Sequence, residues 1–346
     1  MQGGGAQKNL LYLINALKKN NDKIYLLTFS NKTKDIFVLS KHIQRSFLPL
    51  EQHSITFLKK VTNNMKRLRL LRKFFSEKDF DIIISFLTTT NILTIMSTLG
   101  LRSKVIISER NDPKRQEINF FWRILRNFFY KYCDLLTFNL KDSRDFFSKI
   151  CPNDKVKYIP NFVYVIQKKP LKRKRKFMLA VGRLHKQKGF DILIKAFSIF
   201  WKKNKNYDLI ILGDGDERSN LEKKIKELRL ENNILLPGYV NPNPYYNACY
   251  LYISSSRYEG VSNATLEAMQ YKIPIIITET QIGMFDYLKD DHSALFALTN
   301  PKSIAEKINT IIDSKKLKKK ISHNAFNSIN KVDNKKIKEM WTKVIY

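Results

Sequence analysis

At 346 residues with 43% hydrophobic content, the chain is long and apolar enough for two packed domains, and no apolar run approaches the roughly 20 residues that span a bilayer. Cys133, Cys151 and Cys249 are scattered, odd in number and without metal-ligand spacing, which excludes a disulfide framework and a zinc site and suits a reducing compartment. The formal net charge of +32 points to an anionic partner (nucleic acid, lipid headgroups or a phosphorylated substrate), unless A/T-rich codons, which give Lys, Asn, Ile and Phe together, supply the excess.

The N-terminus shows no signal-peptide pattern, so the expected location is cytosolic or at a membrane surface. Gly3-Gly4-Gly5 runs directly into an amphipathic helix start at residues 10–17. A Gly-rich loop that opens a helix normally follows a strand, which aims the loop at a ligand, and no strand precedes this one. Residues 23–29 predict a strand, and residues 35–39 and 54–57 weaker ones. Residues 57–75 predict a helix, with Phe57, Val61, Met65, Leu68, Leu71 and Phe75 on one face. Its other sides carry seven cations and no acid from Lys59 to Lys73, among them Lys66, Arg69 and Lys73. Such a helix reads as an anionic-ligand or membrane-surface element, or as an ordinary helix with a solvated basic face.

Residues 81–86 and 104–109 are buried parallel strands, the second followed by Arg110, whose guanidinium suits a phosphate clamp at a strand end. Residues 119–132 interleave Phe120, Phe121, Trp122, Phe128, Phe129, Tyr130 and Tyr132 with Arg123, Arg126 and Lys131. A core helix with a few exposed cations is the first reading; base stacking and an interfacial membrane helix are the others. Strands at 133–138 and 155–159 close the first domain. The basic run at 167–176 reads as a solvated hinge open to anionic lipid.

Beyond the hinge, the strand at 177–181 leads to Gly182, with Arg183 and Lys188 five residues apart. A diphosphate needs this set: a Gly for close backbone approach, an Arg fork and a Lys point charge. Strands follow at 207–212 and 233–236, the latter leading to Tyr239 and Val240. The strand at 250–253 enters the loop Ser254-Ser255-Ser256-Arg257-Tyr258-Glu259-Gly260-Val261-Ser262-Asn263, and a helix covers 265–270. Ser262 and Asn263 are N-cap candidates. Strand, tight loop and helix N-terminus present backbone N–H groups and a positive dipole end to an anion. Glu259 in the loop accepts hydrogen bonds from neighbouring sugar hydroxyls, and Glu267 either does the same or matches the helix dipole. Phosphate plus polyol is a nucleotide sugar. A strand at 273–278 and helices at 302–313 and 327–345 complete the chain.

Glu259 and Glu267, with seven residues between them in this strand and helix context, resemble the signature of the retaining GT-B glycosyltransferases of family 4. Gly182-Arg183 with Lys188 resembles the same family's diphosphate motif. Residues 82–113 look most like the branch that extends lipid-linked oligosaccharides or lipopolysaccharide sugars, although many relatives carry His where this chain has Arg110. The resemblance implies two Rossmann-like, doubly wound parallel-sheet domains facing a cleft. These are an acceptor domain over residues 1–162, a linker over 163–176, a donor domain over 177–325, and a C-terminal helix over 326–346 that returns to the first domain through Trp341. Relatives begin with a strand before the Gly loop, so the first strand of the N-terminal sheet is expected upstream of Met1.

The implied reaction is retaining transfer of a hexose or N-acetylhexosamine from a UDP-sugar to a lipid-linked oligosaccharide or lipopolysaccharide acceptor. Its place is the inner face of the plasma membrane, with the protein in peripheral contact with anionic lipid. Glu259, Arg183 and Lys188 are the implied catalytic residues. Donor binding falls to Glu267, Gly260, Val261, Ser262, Asn263, Gly182, Tyr239, Val240, Gly4 and Gly5. Acceptor binding falls to Arg110, Lys66, Arg69 and Lys73. No cofactor or metal is expected, since the cations neutralise the diphosphate. Two rivals stand beside this reading: an inactive, truncated transferase, and a nucleic-acid-binding protein, which charge alone favours and which leaves Glu259 and Glu267 without purpose.

Overall fold

The computed structural model describes residues 5–17, 22–29, 43–48, 57–163, 171–173 and 175–346. It divides into two units, Met1–Phe162 with Lys335–Tyr346, and Val163–Asn334.

In the first unit, α1 (Gly5–Leu17) precedes β1 (Ile24–Thr28) and β2 (Ile43–Phe47), which pair in parallel. Then follow α2 (Phe57–Lys78), β3 (Ile82–Phe86), α3 (Thr88–Thr98), β4 (Lys104–Glu109), α4 (Phe120–Phe129), β5 (Leu135–Phe138), α5 (Arg144–Ser148) and β6 (Val156–Tyr158). Strands β3-β4-β5-β6 lie in that order, all parallel, because helical crossovers join each to the next. Among the described residues the β1–β2 pair is a separate ladder from this sheet.

The second unit contains β7 (Lys176–Val181), α6 (Phe190–Trp201), β8 (Tyr207–Leu212), α7 (Arg218–Glu227), β9 (Ile234–Gly238), α8 (Asn243–Tyr246), β10 (Leu251–Ser254), α9 (Asn263–Gln270), β11 (Ile275–Thr278), β12 (Leu295–Ala297), α10 (Pro301–Asp313) and α11 (Lys315–Ile329). Its six strands are all parallel in the order β12-β11-β10-β7-β8-β9. Each strand alternates between two cores. Met178, Ala180, Leu209, Ile211, Leu251 and Ile253 face the layer containing α6 and α10. Phe177, Leu179, Ile210, Leu212, Tyr252 and Ile277 face the layer containing α9 and α11. Strands covered on both faces read as continuous apolar runs for this reason.

The last helix, α12 (Asn334–Ile345), belongs to the first unit from Lys335 onward. Its Trp341 is 1% exposed and stacks on Phe86 with ring centroids 6.4 Å apart. The Lys104 ammonium donates to the Ile345 carbonyl at 3.1 Å.

Several expectations are corrected. Phe57 opens α2 instead of ending a strand, and residues 35–39 and 54–56 lie outside the described residues. The expected helix over 327–345 is two helices: Lys315–Ile329, capped by Ser314 and burying Ile321, Ala325 and Ile329, and Asn334–Ile345. Strands β2 and β12 were not expected. The basic hinge is not simply solvated either. Arg173 and Arg175 reach the buried Asp208 carboxylate at 3.0 and 2.9 Å, fixing the entry to β7. On α2, Leu71 and Phe75 are buried as the stripe predicts, but Met65 is exposed.

Candidate active site

The strand order reverses between β7 and β10: β8 and β9 extend to one side, β11 and β12 to the other. At such a switch point the loops leaving adjacent strands diverge and open a crevice at the carboxyl edge of the sheet. The loops after β7 and β10 meet there. Gly189 lies at φ +63°, and a Cβ on it would fall 2.1 Å from the Ser255 carbonyl, so only glycine permits this approach. The Ser255 hydroxyl donates to the Lys188 carbonyl at 2.9 Å, and the Gln187 amide to the Tyr258 carbonyl at 3.1 Å. Arg257 grips Asp191 with two bonds of 2.8 Å and donates to the Lys186 carbonyl at 2.7 Å.

This framework places the charged groups. The Lys188 ammonium donates to Glu259 Oε2 at 2.6 Å, and the Ser256 hydroxyl donates to the same oxygen at 3.1 Å. The stem of Lys188 runs across Gly182, where a Cβ would stand 3.1 Å from Lys188 Cε. Ser262 caps α9 by accepting from the Thr265 amide, which directs the first turn of the helix toward the loop. Glu267 lies one turn on, largely buried. Burial raises the Tyr246 phenol well above its usual range, and the Glu267 charge adds to the effect. A third loop closes in from β11, where a Cβ on Gly283 would come within 2.2 Å of the Gly260 carbonyl. The fully buried Gln281 accepts from the Ser254 hydroxyl at 2.9 Å and donates to the Ser254 carbonyl at 2.8 Å.

The expected donor residues therefore fall in two groups. Gly182, Lys188, Glu259, Gly260, Val261, Ser262 and Asn263 are brought together by the β7 and β10 loops, with Glu267 behind them. Arg183 is exposed at the same strand end, and its side chain makes no hydrogen bond or ion pair among the described residues. Tyr239 and Val240 are exposed beyond β9, and the Tyr239 hydroxyl donates to the Asp214 carbonyl at 3.3 Å. Gly4 lies outside the described residues, and Gly5 is the first residue of α1.

In the first unit, Lys66, Arg69 and Lys73 are exposed on α2, and Lys73 lies 3.8 Å from Glu77. Arg110 differs from its expected role as a presented clamp. It is buried beside the stacked rings of Phe86 and Trp341, 5.5 Å from each, and donates to Ser108, Ile159 and Asn161 at 2.8–3.1 Å. Beside it, Glu109 accepts from Tyr130, Thr88 and Asn91, and burial pushes its carboxyl up.

Sequence reasoning missed the Arg257–Asp191 clamp. The signal available was an acid two residues after Gly189 and an Arg two residues before Glu259. Burial alone would raise the Asp191 carboxyl, but the bonds from Arg257 more than offset it and hold the group below its usual range. A depressed carboxyl contributes stability above its unfolded value of about 4, and that contribution fades as pH falls through the lower folded value. Asp191→Asn is thus expected to lower stability at pH 7 by about 1 kcal/mol or less, and to have little effect at pH 3, in paired urea titrations.

Two parallel-sheet α/β units, one with cations and carboxylates at its switch point, define the GT-B architecture. The chain matches the family model described as "Glycosyl transferases group 1" over residues 165–328 and that described as "Glycosyltransferase Family 4" over residues 3–165. It belongs to the family 4 glycosyltransferases. It is similar to the GalNAc-alpha-(1->4)-GalNAc-alpha-(1->3)-diNAcBac-PP-undecaprenol alpha-1,4-N-acetyl-D-galactosaminyltransferase of Campylobacter jejuni, 28% identical over 100% of this chain and 96% of the relative. A second Campylobacter jejuni relative, the N-acetylgalactosamine-N,N'-diacetylbacillosaminyl-diphospho-undecaprenol 4-alpha-N-acetylgalactosaminyltransferase, is 27% identical over 96% and 94%. Among solved structures, sucrose-phosphate synthase from Thermosynechococcus elongatus aligns with a TM-score of 0.82 at 15% identity, over 99% of this chain and 93% of that one.

Proposed function

We propose that the enzyme transfers a hexose or N-acetylhexosamine, with retention of anomeric configuration, from a UDP-sugar to a diphospho-lipid-linked oligosaccharide or a lipopolysaccharide precursor at the cytoplasmic face of the membrane. The observation that carries this reading is the Lys188–Glu259 pair, held at 2.6 Å by two loops that meet at the switch point of the second unit. A cation and a carboxylate so placed suit the two halves of a nucleotide sugar. Lys188 and Arg183 neutralise the departing diphosphate, the largest electrostatic task of the reaction. Glu259 accepts from hydroxyls of the transferred sugar and Glu267 from the ribose, while the first turn of α9 offers N–H groups to the phosphates. The acceptor class is supported by the two full-length Campylobacter relatives, whose names place their substrates on diphospho-undecaprenol. Among the described residues no helix is long and apolar enough to cross a membrane.

Thermal unfolding with UDP-sugars and GDP-sugars tests the donor site. A ligand at a hundred times its dissociation constant adds about 2.7 kcal/mol. The expected result is stabilisation by one UDP-sugar, abolished by Arg183→Ala, with transfer to a synthetic polyprenyl-diphosphate glycan by the wild type alone. A folded protein that no nucleotide sugar stabilises would overturn the reading.

A further inference from the structure

Cys133 and Cys151 look unrelated in the chain, but the fold of the first unit brings them together. Cys133 leads into β5, and Cys151 follows α5. Both are buried in one cluster with Tyr130, Leu136, Phe147 and Val156, and their sulfurs lie 3.9 Å apart. Backbone bonds fix both positions: the Cys133 amide donates to the Tyr130 carbonyl at 3.3 Å, and the Cys151 amide to the Phe147 carbonyl at 2.9 Å. A single buried thiol packs as a small apolar residue and needs no other purpose. Cys249, in the second unit, is of that kind: its thiol donates to the Tyr246 carbonyl at 3.7 Å, and burial pushes it up.

The paired thiols differ from Cys249 in having a cation beside them. Lys155, at the entry to β6, donates to the Cys133 carbonyl at 3.0 Å, and its charge favours a thiolate at either sulfur. The bond from the Cys133 thiol, helped by Lys155, holds the Cys151 thiol below its usual range against the effect of burial. That same bond and burial push Cys133 up. One sulfur is thereby disposed to be a thiolate and its neighbour to keep the proton. A small oxidant also has a way in. A cavity of about 320 Å³ at the entries to β4 and β5 is lined by the exposed Arg102, Tyr132 and Asp134, the last two flanking Cys133.

We propose that Cys133 and Cys151 are an oxidation site, which a hydroperoxide closes into a disulfide and a dithiol reductant reopens. The Cys151 thiolate attacks a peroxide oxygen: an S–O bond forms, the O–O bond breaks, and the departing hydroxide takes up a proton to become water. The Cys133 sulfur then attacks the Cys151 sulfur. The S–S bond forms, the S–O bond breaks, and the Cys133 proton leaves with the hydroxide as a second water. Two thiols lose two electrons and the peroxide gains them. The sulfurs close from 3.9 Å to the roughly 2 Å of a disulfide. The bond ties the entry of β5 to the end of α5, across the segment that carries Asn139, which donates to Asn161 at 3.0 Å beside Arg110. Closing that loop restricts the unfolded chain, so redox state sets the stability of the first unit, whatever reaction the enzyme performs.

The test treats the folded wild-type chain with hydrogen peroxide, quenches with catalase, unfolds in guanidinium with iodoacetamide and counts thiols by mass. The expected product has one alkylated cysteine, Cys249, and a reducible link between the peptides holding Cys133 and Cys151. Dithiothreitol before alkylation should return all three thiols. Oxidation should raise the melting temperature of the first unit by about 5 °C, reversibly, and leave that of Cys133→Ala or Cys151→Ala unchanged. Cys133→Ala should accumulate a sulfenic acid at Cys151 that dimedone captures, whereas Cys151→Ala should leave Cys133 reduced. Three alkylated thiols in the peroxide-treated, folded wild type overturn the proposal. So does a link that includes Cys249, or one that forms as fast in chain unfolded before oxidation. The thiol count needs no variant, so a substitution that fails to fold leaves the test intact.

Discussion

Lys188→Ala is expected to slow sugar transfer about 10²–10³-fold, the loss typical when one preorganised group facing transition-state charge is removed. The ammonium is held at Glu259 by 2.6 Å, and its stem is guided across Gly182. It therefore needs no reorganisation when charge develops on the diphosphate of the proposed donor. The substitution removes two things together: the cation, and the partner that fixes the Glu259 carboxylate. The main effect should fall on kcat, because a fixed charge matters most where charge develops. The pair is partly open to solvent, so stability should fall by only about 1 kcal/mol, and a folded, inactive protein is the expected product. Lys188→Arg should restore little, since the stem packs tightly against Gly182 and a planar fork places its charge differently. Combining Lys188→Ala with Arg183→Ala should cost less than the sum of the single losses, as groups serving one charge are not additive. A loss under tenfold in Lys188→Ala would remove this residue from the catalytic assignment.

Trp341→Ala is expected to destabilise the first unit by about 3–5 kcal/mol, the range for emptying a large buried aromatic site. The indole is 1% exposed, stacks on Phe86 and lies 5.5 Å from the Arg110 guanidinium, which is as far from the Phe86 ring. Removing it leaves a cavity and strips Arg110 of a face that favours its charge. Trp341→Phe should recover most of the loss. The chain has three tryptophans, and the other two divide between the units, Trp122 in the first and Trp201 in the second. Urea unfolding followed by fluorescence should therefore show an early transition reported by Trp122, with Trp201 unfolding as before. A single unshifted transition would show that α12 contributes little to the first unit.

These two residues differ in how far the sequence disclosed their surroundings. Lys188 stood out because its chemistry is local: a strand, a glycine and two cations five residues apart are enough to suggest a diphosphate. Glu259 and Glu267 were legible for the same reason, lying within one strand–loop–helix passage. The alternating faces of β7, β8 and β10 were legible as apolar runs. What the sequence did not disclose depends on distant partners. Arg110 resembled a presented clamp because nothing near it in the chain foretells enclosure by Phe86 and Trp341. Helix α4 passed for a core helix because either of its apolar stripes satisfies the periodicity, and only the tertiary packing shows that Trp122, Leu125 and Phe129 turn inward. The Lys-rich start of α11 conceals a good helix, whose buried positions Ile321, Ala325 and Ile329 recur every four residues. Strand β2, Ile-Gln-Arg-Ser-Phe, has too little apolar character to announce itself, and its pairing with β1 supplies what composition does not.

The placement of α12 has a consequence for how the molecule is made. The first unit is assembled from the opening residues and the last dozen. During synthesis its parallel sheet leaves the ribosome with the Phe86 and Arg110 surface uncovered. At about 5–20 residues per second, the roughly 180 residues after Phe162 take on the order of 10–40 s to arrive. In that interval the second unit, continuous from Val163 to Asn334, can fold completely while the first is still waiting for Trp341. Birth order and folding order are thus inverted. The half of the enzyme translated first is the half completed last.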